Sequence, residues 1–398
     1  MVLVGEIVAG LQKCSRTLFY CTNRKGLKLL HRFNVNFSSK AATEKSVPNT
    51  LDEYKDQLRC SPVQPNDPRL LKVSILGEPN AGKSTLTNSL LGWRVCSVSR
   101  KVHTTRRNTA AVLTEGNTQI VFLDTPGLVT PDHGKKHHLD STLTTGPSKS
   151  VQHADTILVV VDVSNKWTRN HLDPGILKLL HRYPNKDCVL VLNKIDLLQS
   201  KQKLLEVSRS LTMGKVGGKD MPAFPSRRKN QKISLNSLFK VTEDKLEENN
   251  KVDTETGWPN FSRVFMISAL DGNGVADLKT YFLETAHPSS WLYHCSMVTD
   301  QSPLEVVQMA VREKILEYLP KEIPYNLNLD IEMWEVDDAG VLKVAMSVIC
   351  PRRGLVKILI GHRGRMISRI AEEAKQAVAN TFHCDVSLKL IVKYKEDQ

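Results

Sequence analysis

Apolar residues in the first two-thirds of this chain come in short blocks of strand length, separated by polar stretches and helical repeats. Residues 70–76, 119–123, 189–192 and 264–267 are dominated by Leu, Val, Ile and Phe. Runs of this kind fit strands covered on both faces. After the first block, Leu86, Leu90 and Leu91 recur at helical spacing, and residues 203–211 suit a surface helix. The expectation is an α/β unit over 70–290, with a mostly parallel sheet and helices on both faces.

Beyond residue 300 the pattern changes. Ser302-Pro303 opens a helical run through Leu319, with Leu304, Val307, Ala310 or Val311, Ile315 and Leu316 at helical spacing. Strand-like stretches at 326–336 and 341–349 follow, joined by the turn Asp337-Asp338-Ala339-Gly340. Residues 355–360, the loop Gly361-His362-Arg363-Gly364, a helical run over 366–379 and a strand over 385–392 complete an α+β unit at 300–398.

The chemistry sits where the apolar blocks end. The first runs into Gly77-Glu78-Pro79-Asn80-Ala81-Gly82-Lys83-Ser84, a complete Walker-A loop, with Thr85 next. Its glycines let backbone N–H groups close on phosphates, Lys83 reaches the β/γ-phosphates, and Ser84 suits Mg²⁺. The following helix turns its positive end to the same place. The second block ends in Asp124-Thr125-Pro126-Gly127, with Asp124 placed to hold Mg²⁺ and the Gly127 N–H to sense a γ-phosphate. The third ends in Asn193-Lys194-Ile195-Asp196. The Asp196 carboxylate can take both N1–H and N2–H of guanine, which adenine lacks. Ser268-Ala269-Leu270 after the fourth offers backbone to the guanine O6. Together these predict a GTP/GDP site. Thr105, with Thr104 as the alternative, is the candidate Mg²⁺ ligand that holds on in the GTP state and lets go after hydrolysis. The candidate catalytic set is therefore Lys83, Thr105, Asp124 and Gly127. Leu128 stands where many GTPases carry a water-orienting glutamine, so turnover is expected to be slow. The Asn80 carbonyl is a candidate K⁺ ligand beside the phosphates.

In the second unit, helix, two strands, a GxxG loop between helices and a final strand match a type II KH arrangement. Residues 300–398 carry 14 Lys+Arg against 15 Asp+Glu, nearly neutral overall. Yet Arg352, Arg353, Lys357, Arg363, Arg365 and Arg369 fall together with no acid among them. That segregation around Gly361, His362 and Gly364 reads as a phosphate footprint. KH grooves take single-stranded RNA. Val356, Ile360, Met366 and Ile367 are candidates for the groove floor or for ordinary core.

A GTPase with Walker A, Thr104-Thr105-Arg106, Asp-Thr-Pro-Gly and Asn-Lys-Ile-Asp, followed by one C-terminal KH domain, resembles the Era family. The likeness covers roughly 70–198 and 263–398 and extends to the apolar residue at 128. It implies a GTP-hydrolysing chaperone of small-subunit ribosomal RNA, with the KH groove reading single strand near the 3′ end. The departures, at the N-terminus and between Asp196 and Ser268, are similar to the animal mitochondrial branch. They imply 12S-type rRNA and an assembling small mitoribosomal subunit as partners. The alternative from another class is an RNA-binding scaffold whose GTPase half is only structural; intact Lys83, Ser84 and Asp124 speak against it.

Composition bears on the flanks. The net charge of +13 favours polyanionic partners. Residues 1–43 hold seven Lys+Arg and one acid, Glu6, and read as a mitochondrial transit peptide or a basic arm. Residues 44–69, with Pro48, Pro62, Pro65 and Pro68, read as a linker. Residues 199–262 read as a flexible insertion after the 203–211 helix, with a basic cluster at Arg227-Arg228-Lys229. No apolar run reaches membrane-spanning length. A matrix location is expected, at most peripheral to the inner membrane, with no DNA partner. Eight dispersed cysteines lack CxxC spacing and argue against zinc or a disulfide framework. His133, His137 and His138 read as part of a solvated loop.

Overall fold

A computed structural model of the chain describes residues 47–97, 109–124, 142–198, 200–222, 256–320 and 323–394. Its larger sheet contains β1 (Arg69–Gly77), β2 (Thr109–Glu115), β3 (Thr118–Asp124), β4 (Thr156–Asp162), β5 (Asp187–Asn193) and β8 (Arg263–Met266). Strand order is β2-β3-β1-β4-β5-β8, and a short strand β9 (His287–Pro288) pairs with the start of β1. Every pairing along that order is parallel except β2 with β3. The apolar runs are explained by burial on both faces. Val73, Ile75, Val160 and Val191 face one cluster with Leu86 and Phe282, whereas Leu76, Val159 and Leu190 face another with Ile176, Leu180 and Val207. Leu86 and Leu90 belong to α2 (Lys83–Leu91) and Phe282 to α6 (Val275–Thr285). On the opposite face lie α3 (Thr142–His153), α4 (Pro174–Arg182) and α5 (Lys201–Leu211). Each such aliphatic side chain contributes about 1.5–3 kcal/mol on burial.

The second unit is built from α7 (Pro303–Tyr318), β10 (Asn328–Val336), β11 (Leu342–Cys350), α8 (Arg353–Ile360), α9 (Arg365–Phe382) and β12 (Val386–Tyr394). Its sheet runs β10-β11-β12, antiparallel then parallel. Helix α7 starts with a capping box, Ser302 and Glu305 each bonding the other's backbone. Val307, Val311, Val344 and Met346 join the same buried cluster as Leu86 and Ile75, so the two units share one apolar core.

Two expectations change. Residues 44–69 are not a bare linker: α1 (Leu51–Arg59) begins on a Thr50 N-cap, and Val47 is buried. Tyr54 Oη donates to Asp300 O at 2.8 Å, and Trp334 Nε1 donates to Asn49 O at 2.9 Å, which fastens the segment to the body. The insertion is also shorter than expected. After α5 the chain forms a hairpin, β6 (Lys215–Val216) and β7 (Lys219–Asp220), and Trp258 and Phe261 return to the core. Gly217 N–H donates to Phe261 O and Trp258 N–H to Leu211 O, both at 2.8 Å. The two aromatics near the end of a polar stretch anchor its return. Residues 1–46 and the Arg227-Arg228-Lys229 cluster lie outside the described residues, as does His133-to-His138.

Candidate nucleotide and nucleic-acid sites

The Walker-A loop spans the gap between the end of β1 at Gly77 and the start of α2 at Lys83. Lys83, only 7% exposed, donates from Nζ to Gly77 O at 3.1 Å and Glu78 O at 3.0 Å. A cation is thus held inside a turn of backbone, at the end of a helix whose first amides have no intrahelical partners. Ser84 and Thr85 follow in that first turn, half-buried. Gly82 caps α2 with φ 94°, and a Cβ there would stand 2.3 Å from Asn193 Nδ2. Glycine is required by backbone conformation and by the close approach of that side chain.

Asn193 is 1% exposed and ties two loops together. Its Nδ2 donates to Ala81 O at 2.9 Å, and its Oδ1 accepts from Ala269 N–H at 3.0 Å. Lys194 takes a left-handed conformation, φ 65°, and crosses to donate to Asn80 O at 2.8 Å and to Asp162 Oδ2 at 2.6 Å. Asn80 is exposed, with φ 63°. Asp196 stands exposed in the 3-10 turn Ile195–Leu197, which is braced by Ile195 N–H to Ile267 O. Ser268 is buried and bonds Asp271, whereas Leu270 is 80% exposed. Three predicted stations therefore converge at the carboxyl ends of β1 and β5. Asp124 closes β3 in register with Ile75, bringing the fourth to the same edge. Thr104, Thr105, Thr125, Pro126 and Gly127 lie outside the described residues.

Sequence reasoning missed Asp162. It ends the apolar run 156–162, a strand pattern of the same kind as the four that were read. It also missed the surroundings of Glu78, beside a pocket lined by Asp162, His171, Leu172 and Asp173. Burial pushes the Glu78 carboxyl up; Asp173 and Asp162 add to this, while Thr168's hydrogen bond and His171 oppose it. Among the described residues no cluster of three or more His, Cys, Asp or Glu is placed to hold a metal. The buried Lys83 ammonium in its carbonyl cradle, with a helix amino end beside it, fits a polyphosphate and its Mg²⁺.

On the second unit, Gly361 ends α8 with φ 69°, where a Cβ would lie 2.7 Å from Met366 Cβ. Gly364, φ 78°, caps α9, so the GxxG loop joins two helices back to back. Arg352, Arg353, Lys357, His362, Arg363 and Arg365 are exposed around it. Arg353 lies over the Tyr394 ring at 5.3 Å. Arg369, also exposed, is engaged by Glu373 at 3.3 Å and stacked over Tyr318 at 4.5 Å. Val356, Met366 and Ile367 are half-buried and pack on the core, with Ile360 half-buried beside them; Ile358, not anticipated, is 45% exposed.

The fold and its two sites define a P-loop GTPase carrying a KH domain. The family model of 50S ribosome-binding GTPases matches residues 72–194, and that of KH domains matches 314–398. Mitochondrial GTPase Era of Salmo salar is 42% identical over 376 residues, covering 87% of this chain and 82% of the relative. The Danio rerio protein of the same name is 43% identical over 350 residues, covering 85% and 78%. A crystal structure of Era in complex with MgGDPNP and nucleotides 1506–1542 of 16S ribosomal RNA superposes with a TM-score of 0.63. That protein is 26% identical, and the match covers 83% of this chain and 95% of the other. The chain belongs to the Era family of GTPases.

Proposed function

We propose that this protein binds small-subunit ribosomal RNA through its KH domain in mitochondria and times its release by hydrolysing GTP, assisting assembly of the small mitoribosomal subunit. The observation that carries the GTPase half is the buried Lys83 inside its carbonyl cradle, linked through Asn193 and Lys194 to the base-reading loops. Lys83 and the loop amides of 77–84 would hold the phosphates, and Asp196 would read guanine N1–H and N2–H. The Ala269 N–H already serves Asn193, so the Leu270 backbone is the better donor to O6. Ser84, Thr105 and Asp124 would hold Mg²⁺, which neutralises charge developing between the phosphates. Gly127 would sense the γ-phosphate, and the Asn80 carbonyl would take K⁺. The KH half rests on the exposed basic rim around Gly361–Gly364 and the amino end of α9.

The same reading divides the chain into a transit segment at 1–43, a GTPase domain at 70–290 and a KH domain at 300–398. It places the protein in the matrix, at most peripheral to the inner membrane. The amount of orthophosphate released from GTP tests it, with Lys83→Ala as the blank. Expected are slow turnover, faster in K⁺ than in Na⁺, and at least a hundredfold loss in the variant. Equal turnover by Lys83→Ala would leave only a scaffold.

A further inference from the structure

The last residue of β4 is a carboxylate whose two oxygens have different tasks. Asp162 stands opposite Asn193 in the β4–β5 register, and its side chain is 17% exposed. Oδ1 accepts from Ser164 N–H at 2.8 Å and from Ser164 Oγ at 2.5 Å. Those two bonds close a turn at the end of the strand and fix the carboxylate plane. Oδ2 then meets Lys194 Nζ at 2.6 Å. The same turn is tied to the base-reading loop, because Val163 N–H donates to Asn193 O at 3.1 Å. Lys194 in turn bridges two loops. It starts in the base-reading loop, and its Nζ donates to Asn80 O of the phosphate loop at 2.8 Å. Its Cε passes 4.0 Å from the place a Gly82 Cβ would take. A lysine keeps a left-handed backbone, here φ 65°, only where its surroundings enforce it.

The geometry points to Asp162 as a positioning residue that holds the Lys194 side chain between the two loops before guanine nucleotide arrives. This rests on the reading of residues 77–84 and 193–196 as the nucleotide site. An asparagine at 162 would serve Ser164 equally well and would not repel the Glu78 carboxylate, as Asp162 does. The ammonium is what accounts for a charged group there. A carbonyl offers Lys194 a partial charge, whereas the carboxylate offers a full one and the stronger bond. A lysine stem already fixed loses little rotamer freedom when the ligand comes, and that saving appears as affinity. The Asp162 contribution therefore passes through Lys194, and it falls on the strength and duration of nucleotide binding.

The test uses the full chain with N-methylanthraniloyl-GDP and the equally labelled non-hydrolysable GTP analogue. Stopped-flow displacement gives the off-rate, and fluorescence titration gives the affinity. Asp162→Asn keeps the acceptor for Ser164 and removes the charge. It is expected to raise the GDP off-rate about three- to thirtyfold, the range of a charge-assisted bond with partial screening. Both nucleotides are expected to weaken in the same proportion, since Lys194 does not distinguish them by the γ-phosphate. In a Lys194→Met background the same substitution is expected to change nothing further, the sign of a shared route. A purely structural role for Asp162 would persist in that background. An equal loss there overturns the proposal, as does a wild-type off-rate in Asp162→Asn. If Asp162→Asn lowers the melting temperature, the Lys194→Met comparison still decides, because instability common to both backgrounds cancels. A Lys194→Met chain that binds nucleotide as tightly as wild type overturns the reading of the site and this proposal with it. Weak binding by Lys194→Met beside unaltered binding by Asp162→Asn overturns this proposal alone.

Discussion

Asn193 and Asp196 stand three positions apart and do different work. Asn193 is buried and spends its amide on Ala81 and Ala269, so its part is to hold the phosphate loop against the base-reading loop. Asp196 is exposed, as its proposed part in meeting the base requires. On the proposed reading, Asp196→Asn would exchange two accepted hydrogen bonds from guanine for a mismatched amide. Competition of GTP with xanthosine triphosphate is expected to shift by about a hundredfold toward the latter; unchanged preference would remove the base-reading role. Residue types and order pointed to both positions, and the structure sets them at the same sheet edge as the Walker-A loop. The partners of Lys194 were not legible, because a lysine's reach to Asp162 and Asn80 follows from a left-handed backbone that sequence does not announce.

Elements were read most accurately where burial is two-sided. The runs ending in Gly77, Asp124, Asn193 and Met266 are all strands of one sheet, since continuous apolar residues have little other use there. The GxxG loop was equally clear, its two glycines taking the positive φ that joins α8 to α9. Segments rich in polar residues misled. The 44–69 stretch carries a capped helix, and the region after α5 keeps a hairpin and two core aromatics. Those contacts lie between residues far apart in the chain, and composition is blind to them. The consequence is a narrower deletion. Replacing residues 223–255 by a short Gly/Ser linker is expected to leave GTP affinity within about twofold, by titration with a fluorescent analogue. A deletion extending back to Lys215 also removes the Gly217–Phe261 bond and is expected to lower the melting temperature. Lost nucleotide affinity in the shorter deletion would show that the segment belongs to the site.

At the scale of the molecule, the Walker-A helix and the helix that follows the GxxG loop are joined directly. The C-terminal side of α2 meets the C-terminal end of α9 through Trp93, Arg94, Thr381 and His383. Their amino ends carry Lys83 and the GxxG loop respectively. On the proposed function, two binding sites lie at the far ends of two abutting helices, a placement visible only in three dimensions. The sharpest test is the affinity of one single-stranded rRNA fragment for the full chain, measured with GDP and with a non-hydrolysable GTP analogue. The comparison chain carries Gly361→Asp with Gly364→Asp. The account predicts tighter RNA binding in the GTP-like state, and loss of RNA binding in the double variant with nucleotide affinity retained. RNA affinity that is identical with both nucleotides, or unimpaired by the two aspartates, would contradict it.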